Sequence, residues 1–193
     1  MTDKLIVFDC FGVIVDEIAP PWIERYFAPE EAARVKKEVV GPADLGEISE
    51  QEMFTRLGAL TGCTSQQAQA GWMELSVVRP GMPEYLRSLR QKARVVMLSD
   101  APGTFLHRML EQRGLADLFD NIYVSSELHM VKPDPAFFRH VLADQGVPPA
   151  RAIMIDDRVK NVQGAESVGM QGLLYDFDST EAFAAELGRR FPL

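Results

Sequence analysis

The chain's strongest constraint is an unbroken apolar run, Leu5-Ile6-Val7-Phe8, that stops on the acidic Asp9. Such a run, with no polar residue in alternation, suits a short strand covered on both faces, as in a parallel sheet. Three further runs share its character: Arg94-Val95-Val96-Met97-Leu98, Asn121-Ile122-Tyr123-Val124 and Ala152-Ile153-Met154-Ile155. Each leads into a helical pattern, over 104–113, 134–145 and 159–168. A weaker run, Gly172-Leu173-Leu174-Tyr175, precedes a last helix over 180–190. Alternating strand and helix predicts an α/β fold, a doubly wound parallel sheet with right-handed crossovers and the first strand near its centre.

Between Asp16 and Arg79 the pattern changes, with no strand-like run and several helix starts. Pro29-Glu30-Glu31 suits a first helical turn, and Ser49-Glu50-Gln51-Glu52 and Thr64-Ser65-Gln66-Gln67 both read as capping boxes. Arg79-Pro80-Gly81 marks the return to the sheet. The chain of 193 residues, 47% hydrophobic, suits one core with a modest insertion. The expected division is a core of 1–15 and 80–193 with a small helical cap of 16–79. An insertion leaving the carboxyl end of the first strand hangs over the place where open α/β sheets bind ligands, so it reads as a lid.

Charge and cysteine usage exclude several functions. The formal net charge is -8, and no basic cluster runs longer than Lys36-Lys37 or Arg189-Arg190, which argues against nucleic acid as a partner. The apolar run near the start is too short for a signal peptide or membrane span, so no membrane partner and a cytoplasmic location are expected. Cys10 and Cys63 fall in no CxxC or Cys/His spacing, which disfavours zinc and a disulfide framework. There is no GxGxxG or GxxxxGK[ST] loop for a nucleotide, and Ser99 sits in no GxSxG elbow.

The informative residues fall at the strand ends: Asp9, Ser99-Asp100, Lys132 in the loop beyond the third strand, and Asp156-Asp157. A single carboxylate there has a bland reading as a helix cap or ion-pair partner, but the fold would bring all of these to one edge of the sheet. Asp9, Asp156 and Asp157 together are unfavourable unless a cation or protons compensate. An oxygen-only cluster suits Mg²⁺. Lys132, with the hydroxyl and backbone N–H groups at Ser99 and Asp100, would neutralise the other side of a bound anion, which makes phosphate the expected ligand.

Phe8-Asp9-Cys10-Phe11-Gly12-Val13, Leu98-Ser99-Asp100, Lys132-Pro133-Asp134 and Ile155-Asp156-Asp157 resemble, in order, the four motifs of the haloacid dehalogenase-like superfamily. The resemblance spans nearly the whole chain, and the helical insertion resembles the family's first cap type. It implies a nucleophilic Asp9 that forms an aspartyl intermediate. It also implies Mg²⁺ held by Asp9, the Phe11 carbonyl and Asp157, with Asp156 ligating or supporting it. Ser99 and Lys132 would hold the transferring phosphoryl group of a small phosphorylated metabolite, and Asn161 would orient the acidic pair or face solvent.

One position departs from the phosphatase pattern. Phosphatases of this family usually carry a second aspartate two residues after the nucleophile, as general acid and then general base. Here that residue is Phe11, an aromatic reminiscent of the family's haloalkanoate dehalogenases, which attack carbon without metal. Those relatives carry neutral polar residues where Asp156-Asp157 stands, and an unscreened acidic pair would repel a halocarboxylate and the departing halide. Phosphoryl transfer is therefore favoured over metal-independent dehalogenation. A phosphate-binding or regulatory protein that lost turnover is the alternative outside enzymes.

Cys10, next to the nucleophile, is expected to be a small core residue. Among the histidines only His129 precedes Lys132 closely enough to approach the site, with a supporting or surface role the better expectation. Trp22, Trp72, Phe54 and Met73 are expected to form the lid core rather than an aromatic substrate cage. The substrate, the lid positions that select it and the oligomeric state stay open.

Overall fold

The computed structural model describes residues 3–193. Its strands are β1 (Leu5–Phe8), β2 (Arg94–Ser99), β3 (Asn121–Val124), β4 (Ala152–Asp156) and β5 (Gln171–Leu174), in the order β3-β2-β1-β4-β5. Every pairing is parallel. The central place of β1 is thus as expected. The missing alternation has a direct cause. Ile6, Phe8, Val95, Met97, Ile153 and Ile155 pack into one core layer, while Leu5, Val7, Val96, Leu98, Ala152 and Met154 pack into the other. Both faces are buried, so neither tolerates a polar residue.

Register positions the chemistry. Phe8 pairs with Met97 on one side and Ile155 on the other. The next residue of β1, Asp9, therefore emerges beside Asp156, and its N–H donates to the Ile155 carbonyl at 2.9 Å.

The insertion after β1 is helical, with α1 (Ala19–Ile23), α2 (Pro29–Val35), a π-helical turn (Lys36–Val40), α3 (Gly41–Asp44), α4 (Glu50–Thr61) and α5 (Ser65–Leu75). Thr64 and Gln67 form the reciprocal capping box expected at α5. At α4 only half of the expected box forms. Ser49 Oγ accepts from the Glu52 N–H at 3.1 Å, but the Glu52 carboxylate turns to Arg56 Nε at 2.8 Å. A nearby guanidinium, one turn along the helix, competes with the backbone for that carboxylate.

The chain leaves and re-enters the core through a short zipper absent from the sequence reading. Val15 bridges Val78, Asp16 N–H donates to the Val77 carbonyl, and Arg79 N–H donates to the Ile14 carbonyl, both at 2.9 Å. Beyond it come α6 (Met82–Arg90), α7 (Gly103–Gln112), α8 (Ser125–Leu128), α9 (Pro135–Gln145), α10 (Val159–Glu166) and α11 (Thr180–Arg190). Helix α6 was not expected, although Met82, Leu86 and Leu89 turn inward at helical spacing against an exposed face rich in Glu and Arg.

The insertion is anchored on α7. Phe54 of α4, Trp72 of α5 and Phe105 of α7 form an edge-to-face and tilted cluster with centroids 5.3 to 6.0 Å apart. Each such pair contributes about 0.5–1.5 kcal/mol beyond its buried area. Among the described residues no helix is long and apolar enough to cross a membrane.

Candidate active site

Asp9, Lys132 and Asp156 form a buried ion triad at the carboxyl edge of β1 and β4. Lys132 Nζ lies 2.8 Å from Asp9 Oδ1 and 2.7 Å from Asp156 Oδ2. Asp9 Oδ1 also accepts the Cys10 N–H at 2.7 Å. Burial pushes the Asp9 carboxyl well above the usual carboxylate range, with the Lys132 charge opposing. Burial would lower the Lys132 ammonium, but Asp9, Asp156 and Asp100 outweigh it and raise the group.

The two acids of the last motif have different surroundings. Asp156 is saturated: besides Lys132, it accepts from Asn161 Nδ2 at 3.0 Å on both oxygens and from the Arg158 N–H at 2.9 Å. Asn161 is buried, so of its two readings the orienting one matches this geometry. Asp157 Oδ1 is buried with no hydrogen-bond partner, Arg158 Nε lying 4.0 Å away, and its carboxyl is raised by burial and by Glu17.

A divalent cation fits this edge. Asp9, Asp156 and Asp157 each place a carboxylate oxygen within 4.8 Å of the others. The donors are all oxygen, one is an orphaned buried atom, and Gly12 leaves the cradle open where a Cβ would strike Asp157.

Ser99 completes the other side. It is fully buried and its hydroxyl has no hydrogen-bond partner, a state that costs about 1–3 kcal/mol unless a ligand fills it. Asp100 Oδ1 accepts the Lys132 N–H at 3.0 Å, which ties the loop beyond β3 to the end of β2. The seven sequence-selected residues, Asp9, Phe11, Ser99, Asp100, Lys132, Asp156 and Asp157, therefore meet at one edge of the sheet.

Above Asp9 lies a cavity of about 80 Å³. Phe11, Asp100 and Phe105 line it from the sheet side, and Ile18, Val40 and Trp72 from the insertion. Trp72 is thus both lid core and cavity wall, unlike Trp22 and Phe54, which are wholly internal. Glu17, Lys36, Asp44 and Arg158 also reach the cavity. None was singled out in the sequence. Arg158, directly after Asp157, was the most findable; Lys36 and Asp44 sit among polar helix positions that look like solvated ones. His129 does not reach the site, since its Nδ1 lies 3.0 Å from the Leu45 carbonyl. Cys10 is buried in the core, as expected, and both cysteines are unpaired.

A parallel sheet with a helical insertion after its first strand, and a buried aspartate–lysine–aspartate edge beneath that insertion, defines a hydrolase of the α/β class. The model of the haloacid dehalogenase-like hydrolase family matches residues 4–169, and the chain belongs to that family. A sesquiterpene phosphatase of Aspergillus oryzae is 29% identical over 177 residues, covering 89% of each chain. A D-ribitol-5-phosphate phosphatase of Bacteroides thetaiotaomicron is 26% identical over 184 residues, covering 87% of this chain and 89% of that one. A family enzyme from the same bacterium, solved with magnesium and inorganic phosphate, superposes with a TM-score of 0.77 at 23% identity, covering 93% of this chain and 98% of that one. At that identity the likeness speaks for the fold.

Proposed function

We propose that this chain is a Mg²⁺-dependent phosphatase that cleaves a small phosphorylated metabolite through an aspartyl phosphate on Asp9. The carrying observation is a buried, lysine-paired carboxylate at the same sheet edge as a serine hydroxyl and a carboxylate oxygen that lack hydrogen bonds. A phosphoryl group answers all of them. Asp9 attacks phosphorus, Lys132 and Ser99 hold the phosphoryl oxygens, and the Asp100 backbone adds a donor. Mg²⁺ would be held by Asp9, the Phe11 carbonyl and Asp157, and would neutralise charge on the phosphoryl oxygens. Asp156, occupied by Lys132, Asn161 and Arg158, suits a supporting role better than direct ligation.

A core of 1–15 and 80–193 with a lid of 16–79 is part of this reading, supported by the zipper at Val15 and Val78 near both crossings. Ile18, Val40 and Trp72 of the lid, with Phe105 of α7, give the cavity an apolar wall, which favours a substrate with a nonpolar face next to its phosphate. The name of the Aspergillus relative agrees with that preference, and that of the Bacteroides relative with a small polyol phosphate. Two unpaired cysteines fit a cytoplasmic setting.

The reading is tested by phosphate release from a panel of isoprenyl, polyol and aryl phosphates with and without Mg²⁺, beside halide release from 2-haloacids. Asp9→Asn should abolish turnover with an unchanged circular dichroism spectrum. Halide release without metal would instead establish the dehalogenase reading that Phe11 favours. Tight phosphate binding with no turnover of any substrate would establish a binding protein.

A further inference from the structure

Phe11 removes the side chain that would exchange a proton with the leaving oxygen, yet the cavity holds another carboxyl. We infer that Asp44, presented from the helical insertion, is the general acid and base that serves the leaving oxygen and the attacking water in place of the aspartate missing at position 11. This rests on the phosphatase reading.

The position of Asp44 is set by the core rather than by the lid hinge. It ends α3, and its backbone carbonyl accepts a hydrogen bond from the Ser125 hydroxyl, which itself accepts the Ala101 N–H at 2.9 Å. The next residue, Leu45, is held through its carbonyl by His129. At Gly46 the backbone lies so close to the Ser126 carbonyl that a Cβ would overlap it. Three consecutive residues are thus clamped against α8 and the loop after β2, the wall that carries Asp100. Asp44 then shares the cavity with Asp9 and Phe11.

Its carboxyl makes no hydrogen bond or ion pair among the described residues, although it lies in a crowded electrostatic setting. Burial pushes it up to about 8, and Asp100 and Glu17 add to that, while Lys36 and Arg158 oppose it. On α8, packed against α3, Glu127 is engaged by His107 and His129 by Leu45. The group is therefore protonated at neutral pH and able to give its proton up, as a general acid must be.

The proton inventory balances. As the Asp9 oxygen bonds to phosphorus and the bond from phosphorus to the leaving oxygen breaks, the Asp44 proton passes to that oxygen and the alcohol departs. The Asp44 carboxylate then takes a proton from water, whose oxygen attacks phosphorus. The phosphorus–Asp9 bond breaks, releasing phosphate and returning Asp9 as a carboxylate and Asp44 as an acid.

The test compares kcat/KM for an alkyl phosphate and for dinitrophenyl phosphate in the full chain with Mg²⁺. Asp44→Asn should lower kcat/KM about 10²–10³-fold on the alkyl ester and under about threefold on the aryl ester, whose leaving group needs no proton. On dinitrophenyl phosphate the variant should show a burst of dinitrophenol followed by a slow steady phase, because the base for water is missing. The native alkyl-ester kcat/KM should fall as pH rises through about 8, and Asp44→Asn should lack that limb. Asp44→Glu should recover part of the loss. Lys36→Met, which removes a charge that opposes the rise of Asp44, should move the alkaline limb to higher pH. An equal loss on both esters in Asp44→Asn, no loss, or an unchanged alkaline limb would overturn the inference while leaving the phosphatase reading intact. No phosphate release from either ester by the native chain would sink both.

Discussion

Gly12 and Asp157 occupy adjoining space so tightly that a Cβ on Gly12 would overlap Asp157 Oδ2 and Cγ. Gly12 also has φ +81, where an L side chain is strained. Gly12→Ala therefore combines a left-handed penalty of about 1–2 kcal/mol with displacement of a carboxylate from the acidic edge. Gly62 separates the two effects, having φ +72 and nothing within 4 Å of its hypothetical Cβ. Both alanine variants should lose melting temperature, but only Gly12→Ala should need more Mg²⁺ for half-maximal phosphate release. Equal metal requirements would mean that Asp157 is not shaped by Gly12.

The unequal surroundings of Asp156 and Asp157 separate stability from metal binding. Asp157→Ala removes an oxygen that makes no hydrogen bond and only a 4.0 Å approach to Arg158, so the fold should survive while the Mg²⁺ requirement rises and activity falls. Asp156→Ala leaves Lys132 with Asp9 alone and Asn161 Nδ2 without a partner in a buried site, so it should destabilise the fold by up to about 3–5 kcal/mol, the range for breaking a buried ion pair. Chemical denaturation beside Mg²⁺ titration checks both. Excess EDTA should silence the native chain; full activity in EDTA would refute the metal role.

Most of this edge was legible because one physical rule governs it. A strand buried on both faces cannot carry a polar residue until it ends, so Asp9, Ser99 and Asp156 announce themselves against runs such as Leu5–Phe8 and Ala152–Ile155. The lid gave no such contrast. Lys36 and Asp44 lie in short helical turns where polar residues ordinarily face water, and only the tertiary clamp through Ser125 and His129 turns Asp44 inward. Trp72 read as lid core because aromatic residues on amphipathic helices usually are. It packs with Phe54 and Phe105 as expected, and its remaining edge meets the cavity. Helix α6 is not hidden in this way: Met82, Leu86 and Leu89 recur at helical spacing against a charged face, directly after the Arg79-Pro80-Gly81 turn that reads as a return straight to the sheet.

The buried state of Asp44 gives a pH dependence of stability whose sign is fixed. Its carboxyl titrates at about 8 in the folded chain against a reference of 3.8, so the folded state holds the proton more tightly. Stability present at low pH is then lost progressively as pH rises between those values. Asp44→Asn lacks this loss. It should melt above the native chain at pH values beyond about 8, with the gap closing as pH falls toward 4. Parallel melting curves across that window would mean that a counter-charge compensates the carboxylate.

The last expectation joins Phe11 to Asp44. The backbone at Phe11 is fixed independently of its side chain, by the Phe11–Val15 bridge and the Gly12 N–H to Val15 carbonyl bond of 2.7 Å. Phe11→Asp can therefore leave the carbonyl in place while setting a carboxyl beside the nucleophile. In the Asp44→Asn background it should restore hydrolysis of alkyl phosphates by about 10²-fold, the lower range for general acid–base catalysis, and restore aryl phosphates far less. In the native background, where Asp44 already supplies the proton, the same substitution should add little. The pair is thus non-additive, as expected of groups that serve one function, and a double-mutant cycle on kcat/KM measures the coupling. A large gain from Phe11→Asp in the native chain would show that no proton donor was acting there. Restoration by neither background would assign Phe11 to packing or substrate contact.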